Sequence, residues 1–286
     1  MANSTLAEVK SASIHRGPNM VLDGVSASIG MGEIVAVTGE NGSGKSRLIE
    51  AFSGIISLRE GEVVWYSESG QTVIRDSQGR RNPPPAMGLT LQKDGICGDE
   101  TVSERLSVAL SVAGVSPDKS QISGLLENWG LFHRSNDRVA HLSGGLRRRL
   151  SILCGLAPAA LSEHPRVVLL DEPSEGLDDS SKATLRGWIK ALAERRHGIL
   201  IATHDKEISS CADRGIRIEN STFIETKGES LGEPHNIPET CPEEGQNPIS
   251  SLILWLSLIH ISEPTRRYAI SDCGLGVKKK GGGGGG

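Results

Sequence analysis

The chain has 286 residues, with 31 Lys and Arg against 35 Asp and Glu and a formal net charge of −4. That balance gives no bulk attraction to nucleic acid or to an anionic membrane, so no nucleic-acid partner is expected, while the length allows one large domain or two small ones around a proper core. The five cysteines, Cys97, Cys154, Cys211, Cys241 and Cys273, are scattered without a C-x-x-C pair, which points away from a disulfide framework or zinc site and toward free thiols in a reducing compartment.

At the N-terminus MANSTLAEVK lacks the apolar core of a signal peptide. Leu6 to Ile14 and Val21 to Ile29 alternate apolar and polar residues about the turn signal Gly17-Pro18, which predicts an antiparallel pair of strands. Ile34 to Thr38 is a short β-branched run of the kind buried on both sheet faces, and Lys45 to Gly54 reads as a helix. Between them Gly39 to Ser46, GENGSGKS, fits the phosphate-loop pattern G-x-x-x-x-G-K-[ST] in its required place after a strand and before a helix. Gly61 to Tyr66 and Met87 to Leu91 read as strands, with a surface loop at Gly79 to Pro85. Thr101 to Ala113, Gln121 to Trp129 and Leu146 to Ala157 read as helices, forming an all-helical insertion at about 98–160. Strands return at Val167 to Leu170, Ile199 to Ala202 and Ile216 to Ile218, separated by helices at Ser180 to Arg195 and Lys206 to Ala212. Strands alternating with helices of these lengths imply an α/β fold with a mostly parallel, two-face-covered sheet.

Beyond residue 227 the character changes. Gly228 to Gln246 is polar and, with prolines at 234, 238, 242 and 248, reads as a linker or the start of a further region over 228–255. The longest apolar run, Ser251 to Ile259, is far shorter than the ~20 residues of a membrane helix. Leu256 to Arg266, LSLIHISEPTR, resembles the conceptual translation of a transposase-type sequencing adapter, and Lys278 to Lys280 and the terminal glycines are what AAA and GGG runs encode. Residues 256–286 are accordingly expected to be read-through, with no functional reading for His260 or Cys273 and with the native C-terminus lost.

The chemistry available to the remaining chain follows from three strings. In Gly39, Glu40, Asn41, Gly42, Ser43 and Gly44 the glycines let main-chain N–H groups wrap phosphate oxygens. Lys45 brings a mobile cation, and Ser46 a hydroxyl for Mg²⁺. VVLLDEP, Val167 to Pro173, is an apolar strand that delivers Asp171 and Glu172 to the carboxyl edge of a sheet, where Asp171 is suited to Mg²⁺ and Glu172 to polarising a water as general base. In LSGG, Leu142 to Gly145, Ser143 caps the next helix while Gly144 and Gly145 leave its N–H groups approachable by phosphate. Taken alone, such a tetrapeptide is equally an ordinary helix cap.

Together these strings, in this order, resemble the nucleotide-binding cassette of ABC (ATP-binding cassette) transporters over about residues 5–226. The resemblance implies a P-loop NTPase fold with an N-terminal antiparallel β subdomain and an inserted helical subdomain. It places Walker A at Gly39 to Ser46, the signature at Leu142 to Gly145, and Walker B with the catalytic acid at Val167 to Glu172. Gln92 falls at the Q-loop position and would touch Mg²⁺, Asp178 lies in the D-loop Gly176-Leu177-Asp178, and His204 falls at the switch histidine contacting the γ-phosphate. The aromatic residue that stacks on adenine in the family has no counterpart in SIHRGPNM before Val21, so His15 is the expected substitute. Leu146 and Glu175 stand where Gln and Ser are common. ATP and Mg²⁺ are the implied substrate and metal. The implied partners are a membrane-embedded permease and a second cassette docked head to tail, so that the signature of one covers the phosphate held by Lys45 of the other, at the cytoplasmic face of a membrane. LSGGLRRR is more similar to exporter than importer cassettes. Two other readings stay open at this point: a soluble ATPase of the same family acting on ribosomes or DNA, and a regulatory module without turnover, against which Glu172 and His204 argue.

Overall fold

A computed structural model describes residues 5–68, 70–93, 95–96 and 98–227. The expectations for 228–286, and for Cys97, Cys241 and Cys273, lie outside the described residues. Two sheets organise the remainder. β1 (Thr5–Arg16) and β2 (Asn19–Gly30) form the antiparallel pair read from their alternation, extended by β4 (Glu60–Ser67) and β5 (Gly70–Asp76) in the order β2-β1-β4-β5. The second sheet runs β10-β9-β3-β8-β7-β6, from β3 (Ile34–Gly39), β6 (Gly88–Thr90), β7 (Val167–Asp171), β8 (Gly198–Ala202), β9 (Arg214–Glu219) and β10 (Thr222–Lys227). All its pairings are parallel except β9 with β10.

Burial on both faces explains why β3, β7 and β8 read as unbroken apolar runs. Along β8, Ile199 and Ile201 point into one core and Leu200 and Ala202 into the other. Along β7, Val168 and Leu170 oppose Val167 and Leu169 in the same way. One core joins this sheet to the antiparallel sheet and to α1 (Lys45–Phe52). The other packs it against α2 (Val102–Val112), α3 (Lys119–Asn128), α4 (Gly144–Ala160) and α5 (Asp179–Glu194). Between β6 and β7 the described elements are α2, α3, two 3-10 turns and α4, which matches the expected helical insertion. Its helices start where capping chemistry dictates, with reciprocal capping boxes at Thr101–Glu104 and Asp118–Gln121.

The structure corrects several boundaries. β5 and β10 were not anticipated; both are edge strands, and pairing with β4 and β9 rather than an apolar run holds them in place. The helix expected over 206–212 is α6 (Lys206–Ser209) alone, because the following amides of Cys211 and Ala212 bond three residues back, to Ile208 and Ser209, and tighten the turn. α1 ends at Phe52 rather than Gly54, where Gly54 turns the chain at φ 71°.

Candidate functional site

Strand register brings the motifs together. Val37 and Asp171 both pair with Ala202, the last residue of β8, so the carboxyl ends of β3, β8 and β7 lie at one level, as expected for a ligand edge in an open parallel sheet. The amide of Thr203 donates to the Val37 carbonyl and that of Glu172 to the Ala202 carbonyl, extending the alignment one step past the strands.

From β3 the chain turns through Gly39 to Gly44 into α1. Gly39 and Gly44 have φ of 147° and 114°; a Cβ at Gly39 would lie 2.8 Å from Ser43 Oγ, and one at Gly44 2.9 Å from both Val21 Cγ1 and Leu22 Cδ2. A Cβ at Gly42, φ 83°, would meet nothing within 4 Å, so that position faces open space. The Lys45 side chain is buried and folds back over the loop, its Nζ donating to the carbonyls of Gly39 at 3.0 Å and Glu40 at 3.1 Å.

Glu172 meets this lysine from β7. Its Oε1 stands 4.0 Å from Lys45 Nζ, while Oε2 lies 2.8 Å from His204 Nδ1 and accepts from the His204 amide at 3.3 Å. Glu172 has φ 45°, a left-handed conformation that costs a non-glycine residue about 1–3 kcal/mol and is held only where surrounding contacts enforce it. Burial pushes the Asp171 carboxyl pKa up, partly opposed by the Ser46 hydroxyl beside it, and Asp171 Oδ1 is buried without a hydrogen-bond partner. The arrangement therefore sets a cation, two carboxylates, a hydroxyl and an imidazole at one sheet edge, next to exposed loop amides.

Beside the loop opens a cavity of about 980 Å³, lined by Gly39, Glu40, Asn41, Gly42 and Ser43, by His204, by Arg217 and Asn220 at the β9–β10 turn, and by Arg16, Asn19, Met20 and Val21. His15 does not line it. Register shifts on either side of Ile14 break the alternation of β1, and His15 pairs with Met20 while Arg16 reaches the cavity wall. Of this segment, Arg16, one position on from the expected His15, is the residue at the cavity wall. No simple periodicity could have found this, since the shift is made by pairing with β2.

The remaining predicted residues bond to partners outside the loop. Exposed Gln92 donates through Nε2 to Glu175 Oε2 at 3.1 Å. Asp178 caps α5, its Oδ1 accepting from the Ser181 amide at 2.9 Å and its Oδ2 from Arg149 at 2.7 Å; bonding with Ser181 comes first in holding its carboxyl below the usual range. Ser143 caps α4 through a long 3.4 Å bond from the Leu146 amide, and Ser143, Gly144 and Gly145 are all exposed. Nothing lies within 4 Å of a Cβ placed on Gly144, and the nearest atom to one on Gly145 is the Gly176 carbonyl oxygen at 3.8 Å.

A family model described as ABC transporter matches residues 22–175, more than half of the chain. The chain belongs to the ABC transporter family. The lipoprotein-releasing system ATP-binding protein LolD of Saccharophagus degradans is 30% identical over 202 residues, covering 70% of this chain and 86% of that protein. The macrolide export ATP-binding/permease protein MacB of Marinobacter nauticus is 30% identical over 222 residues, covering 77% of this chain but 33% of its own length, so the chain spans about a third of that relative. Among solved structures, an ATP-binding subunit of an ABC transporter superposes with a TM-score of 0.67 at 24% identity, covering 78% of this chain and 90% of that one. A dimeric cassette in a post-hydrolysis state with ADP and Pi superposes at 0.66 with 21% identity, covering 78% and 99%. These structural likenesses establish the fold of an ABC cassette; with the family match, the chain is an ATP-binding, ATP-hydrolysing cassette.

Its loop fits a polyphosphate. The cradle is built from backbone angles and spacings that side chains would obstruct, and the Ser43 hydroxyl is buried with no hydrogen-bond partner. Among the described residues no helix is long and apolar enough to cross a membrane, and no group of three His, Cys, Asp or Glu residues gathers to hold a metal. One contributor escaped the sequence reading altogether: Arg148, buried at 5% exposure inside an Arg-Arg-Arg run that looks like a solvated helix face.

Proposed function

We propose that this cassette powers export of a substrate across a membrane by hydrolysing ATP in a composite site shared by two cassettes. The observation that carries the reading is the convergence of Lys45, Glu172 and His204 at one sheet edge, while the signature glycines stand exposed with open space around them. A site with its phosphate cradle and acid in one place and an exposed glycine-rich helix start in another is what a head-to-tail pair would complete. The transport direction rests on relatives whose names include lipoprotein release and macrolide export.

In this reading the loop amides of Gly39 to Gly44 and the Lys45 ammonium bind the β and γ phosphates of ATP. Ser46 and the unpartnered Asp171 Oδ1 are suited to hold Mg²⁺ with Gln92 nearby; oxygen donors of this kind, shared with phosphate, fit a hard cation that usually keeps several waters. When bound, that ion would neutralise charge developing on the phosphates. Glu172 accepts the proton of the attacking water at a carboxylate oxygen, and His204, bonded to Oε2, fixes which way that carboxylate faces and stands toward the γ-phosphate. Ser143, Gly144 and Gly145 of a second copy cover the nucleotide, with Asp178 at the same junction. On the base side, Arg16 and Met20 replace the stacking aromatic.

Residues 1–227 form the cassette in this proposal, with 98–160 as its helical insertion, and a permease supplies the membrane path and places the cassette peripherally at the cytoplasmic face. The composite site is tested by mixing two inactive variants. Lys45→Ala spoils the cradle and Gly144→Glu spoils the signature; each alone should hydrolyse ATP at under about 1% of the unmodified rate, by analogy with losing a principal electrostatic group. Mixed, they should recover activity, because one of the two sites in a mixed pair keeps both an intact cradle and an intact signature. Folded variants that stay inactive on mixing would sink the head-to-tail arrangement.

A further inference from the structure

The run Arg147-Arg148-Arg149 follows the signature directly, and successive residues on a helix point about 100° apart. Each arginine consequently meets a different part of the molecule. Arg147 Nη2 donates to the carbonyls of Ala140 and Leu142 in the turn leading to the signature, and Arg149 Nη2 to the Asp178 carboxylate. Arg148 alone of the three is fully buried. Its Nη1 donates to the carbonyl oxygens of Leu91 at 3.0 Å and Gln92 at 3.3 Å; its Nη2 donates to those of Glu172 at 2.7 Å and Asp171 at 3.4 Å.

Two features make this more than a packed cation. The oxygens that take the place of its hydration shell come from two separate motifs, the residues after β6 and those ending β7, so one rigid guanidinium ties the two segments together just past the last pair of the ladder, Thr90 with Leu170. Glu172 also has a left-handed φ, and its backbone is gripped from both sides: its amide donates to Ala202 and its carbonyl accepts from Arg148. A planar fork with several donors can span these oxygens, whereas the single nitrogen of a lysine cannot.

We infer that Arg148 is a positioning residue for ATP hydrolysis: by clasping the main chain of 91–92 and 171–172 it holds the Glu172 carboxylate between Lys45 and His204 and links that placement to the helix that carries the signature. The inference rests on the proposed role of Glu172. Displacement of α4 at its exposed N-terminus would reach Glu172 through this side chain as well as through the packing of α4 on β7.

The test compares Arg148→Gln and Arg148→Lys in the full chain. Binding of a fluorescent ATP analogue, steady-state kcat and KM, and hydrogen exchange of the amides at 89–93 and 171–174 are measured. Both variants should lose kcat by about 10-fold or more while nucleotide affinity changes less than about 3-fold, the pattern of a lost transition-state interaction, and exchange should rise in both segments. In a Glu172→Gln background the further change Arg148→Gln should alter the residual rate less than about 2-fold, because the group it positions is already gone. A folded Arg148→Gln protein with unchanged kcat, or one whose fold-loss is the same in both backgrounds, overturns the inference. Should the glutamine variant not fold, Arg148→Lys decides alone, and unchanged kcat with unchanged exchange overturns it. An unmodified protein without ATPase activity, or one indifferent to Glu172→Gln, would instead defeat the underlying assignment of Glu172.

Discussion

The two edges of the parallel sheet are built from the same strands and do opposite things with charge. At the carboxyl edge Lys45, Asp171, Glu172 and His204 crowd together, with strained backbone at Glu172, glycine-only angles in the loop and a buried carboxylate oxygen left unpartnered. At the amino edge His197 is buried and its Nδ1 accepts from the Arg166 amide at 3.0 Å. The Arg166 and Arg195 side chains spend their donors on the carbonyls of Ala113, Ala160 and Ser162. Charge at the first edge is gathered and kept available. At the second it is absorbed into closing the fold. The contrast teaches that stability and chemistry are separated along the strand axis, so mutations at the two edges should move different observables.

The largest effect should come from the carboxyl edge. Glu172→Gln keeps the shape and the capacity to accept from His204 but removes the base, so ATP turnover should fall about 10²–10⁴-fold, measured by phosphate release, with nucleotide binding retained. A variant that turned over normally would break the assignment of this edge to chemistry. At the amino edge the expected change is in stability. Burial first, then the neighbouring Arg195 and Arg166 cations, push the His197 pKa down to about 4 from its ordinary 6.5. A depressed base is protonated in the unfolded chain before the folded one, so its contribution is whole above about pH 6.5 and lost as the pH falls toward 4, by up to ~3 kcal/mol. Denaturant titrations at pH 7 and pH 5 should show this loss in the protein and less of it in His197→Gln, while kcat at pH 7 stays within about 2-fold. The smallest effect lies at neither edge: Thr101→Ala removes one half of a capping box in the insertion and should cost about 1 kcal/mol of stability, leaving ATP affinity alone.

Much of this was readable before any coordinates. Apolar runs of four or five residues marked β3, β7 and β8 because those strands are covered on both faces, and Ser143 stands directly before the helix it caps; the caps Thr101, Asp118 and Asp178 emerge only from the structure, which starts their helices at Val102, Lys119 and Asp179 rather than at Thr101, Gln121 and Ser180. What else escaped the sequence shares one physical cause. β5 and β10 are held by a neighbour's hydrogen bonds, the placing of Arg16 rather than His15 on the cavity wall follows from shifts in pairing with β2, and Arg148 is hidden by its two exposed-looking neighbours. Each depends on a contact with a residue far away in the chain, to which local periodicity is blind.

The sequence alone determined the kind of machine this is: a glycine-rich loop between strand and helix, an apolar strand ending in two acids and a signature before a helix can be read locally, since each motif's chemistry is carried by adjacent residues. Only the tertiary structure decided how those motifs touch. It set Glu172 against both Lys45 and His204, left the signature glycines facing outward, and sent Arg148 inward to join two segments, because strand register and helix packing, not residue identity, determine which distant groups come within hydrogen-bonding distance.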